Sequence, residues 1–122
     1  MDFPELKPGL KGEIQTVVDE SLVVKHTGGD GVFSTPSMIM LMERAGIKAV
    51  QNILGDSHTT VGFEVHVKHF AATPKGAQVT VTAELLDVDG RKLRFKVEAH
   101  DDKQQVGAGT HRRAIIEIGK HG

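Results

Sequence analysis

The sequence contains no cysteine, which excludes disulfides, thiolate metal sites and a cysteine nucleophile. Neither sign of charge prevails. The formal net charge is −1, and acidic and basic residues alternate instead of forming blocks, so nothing points to a nucleic-acid or anionic-membrane partner. No apolar run reaches the length of a membrane span, and Met1 to Gly12 lacks the hydrophobic centre of a signal peptide. Internal repeats and low-complexity segments are also missing. The expectation is a soluble, cytoplasmic protein. At 122 residues it is most simply one domain over 1–122, with an extended lead-in at 1–10 and a tail at 119–122. A chain of this size buries roughly two-thirds of its unfolded surface.

What the sequence does have is one long helical stretch, Val32 to Gly55. Thr35 followed by Pro36 reads as an N-cap with proline at the first helical position, and Gly55 as the residue that ends the helix. At about 100° per residue, Ser37, Arg44, Lys48, Gln51 and Asn52 gather into one narrow polar stripe. Met38, Ile39, Leu41, Met42, Ala45, Gly46, Ala49, Val50, Ile53 and Leu54 fill the rest. So wide an apolar arc belongs to a helix that something wraps.

Strands surround it. Glu13 to Val18 and Leu22 to His26 look like two short strands with a turn at Asp19 to Ser21. After the helix, Thr60 to Phe70 alternates, placing Val61, Phe63, Val65, Val67 and His69 on one face and Gly62, Glu64, His66 and Lys68 on the other. Gln78 to Leu85 alternates again through Val79, Val81, Ala83 and Leu85, and DVDG at Asp87 to Gly90 signals a hairpin. Leu93, Phe95, Val97 and Ala99 face inward on the next strand. On the last, Gln105 to Ile118, Gly107, Gly109, His111 and Arg113 share a face. Meandering strands make an antiparallel sheet whose apolar face needs a cover, and one helix is available to supply it. The predicted class is α+β, a curved antiparallel sheet around one long central helix, the hot-dog architecture. Its edge strands are expected to pair with a second copy, giving a homodimer or a dimer of dimers.

Two residues break these patterns. Glu43 falls on the apolar arc, where an ionised carboxylate costs several kcal/mol unless paired. It is either a rim or ion-pair residue or a catalytic carboxylate in a dry cleft. His69 continues an inward strand face towards the helix, as a satisfied core histidine or as a partner for the acid. Thr35 is accounted for as a cap but also lies at the helix terminus, where N–H groups polarise a carbonyl. Arg113 is a surface arginine or a member of the same site. His66 and His69, three apart on a strand, point to opposite faces and make no zinc pair. The glycine-rich run Thr27 to Gly31 lacks the lysine and spacing of a phosphate-binding loop.

The stretches STPSMIMLMERAG, VGFEVHVKHFAATPKG and VTVTAELLDVDGRKLRFKVEAHDDKQQVGAGTHRRAIIEI together resemble the fluoroacetyl-CoA thioesterase-like family, over about Pro8 to Ile118. The resemblance implies a catalytic set at Thr35, Glu43 and His69, with Gly62, Arg113 and Phe33 contacting substrate. It implies hydrolysis of a short acyl-CoA to free acid and CoA, and neither metal nor cofactor. Lys92, Arg94 and Lys96, or the Arg112–Arg113 pair, are candidates for the CoA phosphates. The fluoroacetyl-specific member guards its pocket with phenylalanines before the helix. Here His26 to Gly31 contains none, so that specificity does not carry over. Two other readings stand beside hydrolysis: a hot-dog hydratase or dehydratase, and a non-catalytic acyl-CoA binding protein.

Overall fold

The computed structural model describes residues 3–120; the outermost residues of the expected lead-in and tail, 1–2 and 121–122, lie outside it. In chain order the elements are β1 (Lys11–Val17), a single 3-10 turn (Glu20–Leu22), β2 (Val23–Val24), β3 (Val32–Phe33), α1 (Thr35–Leu54), β4 (His58–His69), β5 (Gln78–Asp89), β6 (Lys92–Asp101) and β7 (Gln105–Glu117). Five strands form one antiparallel sheet in the order β1-β5-β6-β7-β4, and β2 pairs only with β3. The sheet curves around α1, the arrangement its wide apolar arc requires.

The core lies between them. Val79, Val81, Ala83 and Leu85 of β5 and Leu93, Phe95, Val97 and Ala99 of β6 are fully buried against Met38, Leu41, Met42, Ala45, Ala49, Val50 and Leu54. Each larger side chain among these contributes about 1.5–3 kcal/mol on leaving water. β1 approaches the helix so closely that a Cβ on Gly12 would lie 2.1 Å from the Ala45 carbonyl oxygen. Any side chain there would push the helix off the strand.

Several expectations are corrected. Ser34, not Thr35, caps α1: its hydroxyl accepts from the Ser37 N–H, which leaves Thr35 as the first helical residue. The expected hairpin before the helix does not form. The Asp19 carboxylate takes the Ser21 N–H at 2.9 Å and winds the chain into the 3-10 turn, while β1 pairs with β5. The strands after the helix do not all meander either: β4 pairs with β7, and the connection to β5 crosses to the far side of β6. Within the lead-in, Leu6 joins the core and Gly9 N–H donates to the Leu85 carbonyl at 2.8 Å.

Candidate active site

Strand β4 is an edge strand with a bulge, and the bulge decides which of its residues meet the helix. The register slips between Gly62, opposite Arg113, and Glu64, opposite Arg112. The extra residue, Phe63, turns outward, where the Lys92 ammonium and the Arg112 guanidinium lie over its ring at 5.9 and 5.3 Å. One inner face therefore carries Gly62, Val65, Val67 and His69, opposite Arg113, His111, Gly109 and Gly107 of β7. Simple alternation had put Phe63 inward and Gly62 outward. An inserted residue reverses the phase of every side chain on one side of it.

At one end of this face, His69 meets the start of α1. Its Nδ1 lies 2.8 Å from the Thr35 hydroxyl oxygen, a bond open to Thr35 because Ser34 performs the capping. The buried Phe33 ring lies edge-on to the imidazole, 5.9 Å between centroids. Burial pushes the imidazole below its ordinary pKa, opposed by the backbone of Ala71, so the ring is neutral at neutral pH. The Ala71 backbone approaches the ring, but the buried Nε2 makes no hydrogen bond of good geometry among the described residues. A buried ring nitrogen left unpaired costs stability, and such a group calls for an explanation. A cavity of about 350 Å³ opens here, lined by His26, Thr27, Phe33, Thr35, His69 and Phe70 among others.

Two helical turns further on, roughly 12 Å of rise, Glu43 meets the other end of the face. Its carboxylate lies 3.5 Å from Arg113 Nη1, with the arginine side chain only 4% exposed and that of Glu43 40% exposed. The guanidinium is held from every side. Nε donates to the Thr60 hydroxyl at 2.7 Å, Nη2 to the Thr60 carbonyl at 2.9 Å, and Nη1 to His111 Nε2 at 3.0 Å. Two glycines make room for it: a Cβ on Gly46 would lie 3.3 Å from Arg113 Cδ, and one on Gly62 would lie 2.7 Å from Glu43 Oε2. Burial pulls the arginine pKa down and Glu43 opposes it, but a guanidinium starts so high that it stays charged.

Comparison with known proteins places the chain in a family. The family model for the fluoroacetyl-CoA-specific thioesterase matches residues 17–118. The chain belongs to this family. The fluoroacetyl-CoA thioesterase of Streptantibioticus cattleyicolor is 46% identical over 89 residues, a segment covering 73% of this chain and 64% of that protein. A solved structure of a fluoroacetyl-CoA thioesterase, determined for its activity and substrate specificity, superposes with a TM-score of 0.85 at 37% identity, covering 93% of this chain and 90% of the other. A hot-dog-like protein from Thermanaerovibrio acidaminovorans superposes at 0.86 with 23% identity, covering 97% and 90%, and speaks for the fold alone. This member of the fluoroacetyl-CoA-specific thioesterase family thus has the hot-dog fold expected of it.

Within that fold, the six residues singled out in the sequence fall into two groups. Thr35 and Phe33 both meet His69 at the start of the helix. Glu43, Arg113 and Gly62 meet at the bulge. His66 faces outward opposite Thr110, away from His69. Arg112 and Arg113 do not act as a pair, since they take opposite faces of the sheet, and Arg94 is engaged by Asp87 at 2.5 Å. Sequence reasoning passed over Ser34, Thr60 and His111. The signal for His111 was available, for it shares a face with Arg113 on a strand otherwise lined there by glycine.

Proposed function

We propose that this chain hydrolyses a short acyl-CoA thioester to the free acid and CoA. The observation that carries the reading is the Thr35–His69 pair at the helix N-terminus, opening on a cavity while His69 Nε2 stays unbonded. With Nδ1 accepting the Thr35 hydroxyl proton, the neutral ring carries its proton on Nε2. It can then deliver that proton to the departing thiolate or orient the water. Glu43 attacks the carbonyl or takes the proton of the attacking water, so that a C–O bond forms and the C–S bond breaks. First-turn backbone N–H groups and the helix dipole favour the developing oxyanion. His26 and Thr27 are among the residues lining the cavity, and fluoroacetyl specificity is no part of the proposal.

The same reading includes a homodimer. In one copy the two groups of residues are separated along both α1 and β4, and neither is sufficient alone. The free edge of β4 carries Val61, Phe63 and Val65 at 43%, 48% and 43% exposure, an apolar edge of the kind that self-pairs. Antiparallel pairing about a two-fold axis near Val65 and His66 would set the His69 end of one protomer against the Gly62 end of its partner. One protomer's Thr35 and His69 would then work with its partner's Glu43. A dimer of dimers is a further association of the same kind. Lys92, Lys96 and Arg112, on the outer face, are candidates for the CoA phosphates, Arg112 already lying 3.9 Å from the Glu64 carboxylate. No helix among the described residues is long and apolar enough to cross a membrane, and we place the protein in the cytoplasm, where its substrate would be.

The test is thiol release by purified protein from a panel of short, branched and aryl acyl-CoAs. Turnover above background is expected, and its absence on every substrate would sink the proposal. Consumption of an enoyl-CoA without free CoA would favour a hydratase instead. Light scattering at micromolar concentration should give a dimer or tetramer; a monomer would contradict the shared site.

A further inference from the structure

His111 has no part in the reading above, yet the structure treats it as a fixed component. Its ring is 2% exposed and stacks on Phe95 with 6.5 Å between centroids. Nδ1 lies 2.8 Å from the Glu64 carbonyl oxygen. A carbonyl can only accept, so Nδ1 carries the proton and Nε2 is left as an acceptor. Arg113 Nη1 fills it at 3.0 Å, and the same nitrogen lies 3.5 Å from Glu43 Oε2. Glu64 C=O, His111, Arg113 and Glu43 thus form one line of polar contacts. The bulge supplies its first member, and the missing side chain at Gly62 clears its path, since a Cβ there would come within 2.9 Å of His111 Cε1.

Packing alone asks only for the volume of a ring, which phenylalanine would provide without the cost of burying two nitrogens. What the imidazole adds is a defined acceptor. Thr60 takes Nε and Nη2 of the guanidinium and leaves it free to pivot about those bonds. The His111 acceptor removes that freedom and fixes the direction in which Nη1 meets the carboxylate.

We infer that His111 is a positioning residue for the hydrolysis: acting through Arg113, it sets the orientation of the Glu43 carboxylate without touching substrate. The inference rests on Glu43 being the catalytic carboxylate of the proposed function. It is tested with three variants assayed on whichever acyl-CoA the native protein turns over best. His111→Phe keeps the ring and removes both bonds, and kcat should fall about tenfold to a hundredfold with KM moved less than about threefold, the scale of a small misplacement. His111→Gln can return an oxygen acceptor to Arg113 and should recover kcat to within about fivefold of native. His111→Asn reaches only far enough to satisfy Glu64, and should stay as slow as the phenylalanine variant.

A merely structural residue would rank these variants by thermal midpoint and leave kcat unmoved. Native kcat in folded His111→Phe, or equal kcat in the Gln and Asn variants, would overturn the inference. Should the variants fail to fold, nitrogen-15 spectra of the native imidazole decide. A proton on Nδ1 with bare Nε2 supports it, and a proton on Nε2 overturns it. Glu43→Gln separates the two readings. If that variant keeps native turnover, the catalytic role itself falls. If it is inactive while His111→Phe is fully active, only the positioning role falls. In a Glu43→Gln background His111→Phe should cost less than about twofold more, there being no carboxylate left to position.

Discussion

At the start of α1, His69 has one side-chain bond, to an exposed threonine, and a ring nitrogen with no partner; at the bulge, Arg113 is bonded through all three of its nitrogens. Both groups lie between α1 and the inner face of the β4–β7 pair, but one is left incomplete and the other is over-determined. Under the proposed hydrolysis, the difference separates what would change partners during the reaction from what would not. A proton-transferring imidazole needs an open valence. A guanidinium that fixes a carboxylate needs none, and would lose its purpose if it could move.

The sharpest way to break this comparison is Glu43→Gln. The amide keeps the shape and removes the charge and basicity, so turnover should fall at least about a hundredfold. Stability should fall as well, by something on the order of 1 kcal/mol, because Arg113 stays buried after losing its counter-charge; the half-exposure of Glu43 keeps the figure small. Thiol release and a thermal melt on one preparation read both. Near-native turnover would end the assignment. His69→Ala should be nearly as damaging to kcat. The double variant should then lose much less than the product of the two single losses if the residues act as one unit.

Gly62→Ala tests the over-determined end. The added methyl would meet Glu43 Oε2 at 2.7 Å, His111 Cε1 at 2.9 Å and Arg113 Nη1 at 3.1 Å. The carboxylate is the flexible member and should move first. Activity should therefore fall about tenfold or more, while stability falls about 1–3 kcal/mol. An active, equally stable alanine variant would mean that the groups at the bulge give way without cost. Ser34→Ala does the reverse at the other end. It removes the cap, costing about 1 kcal/mol in the melt, and should spare kcat, because the Thr35 hydroxyl belongs to His69.

The helix and the core were legible in the sequence because each rests on local periodicity. Gly55 and the apolar arc predicted α1, and clean alternation predicted the inner faces of β5 and β6. What local pattern could not show was an inserted residue. Val61 to Phe70 alternates without a visible break, yet the bulge carries Phe63 to solvent and Gly62 to the site. The cap was misplaced by one position because Ser34 and Thr35 are both good capping residues. Arg113 read first as a solvated surface arginine, since its acid partner lies far away in sequence and only the fold brings them together. His111 could be read only as a face-mate of Arg113, because its partners too come together only in the fold. Its role depends on a carbonyl that the bulge alone delivers.

The smallest effect expected concerns acid, and it weighs the two histidines against each other. Both rings have depressed pKa values, His69 through burial, and His111 through burial first, with Arg113 adding to it and the Glu64 carbonyl and Glu43 opposing. In the unfolded chain each would take up its proton near pH 6.5, whereas in the folded protein each holds out to lower pH. Between those values the unfolded state binds more protons. The stability these neutral rings represent is thus present above about pH 6.5 and lost as pH falls through the folded values. The slope cannot exceed about 1.4 kcal/mol per pH unit for each ring. His69→Gln and His111→Gln should each flatten part of that acid limb in denaturant titrations at stepped pH. The His69 ring is partly accessible and the His111 ring is sealed by Phe95, Arg113 and the Glu64 carbonyl, so the larger flattening should come from His111. Equal flattening would mean that the two groups are equally open to water, and the contrast between them would be lost.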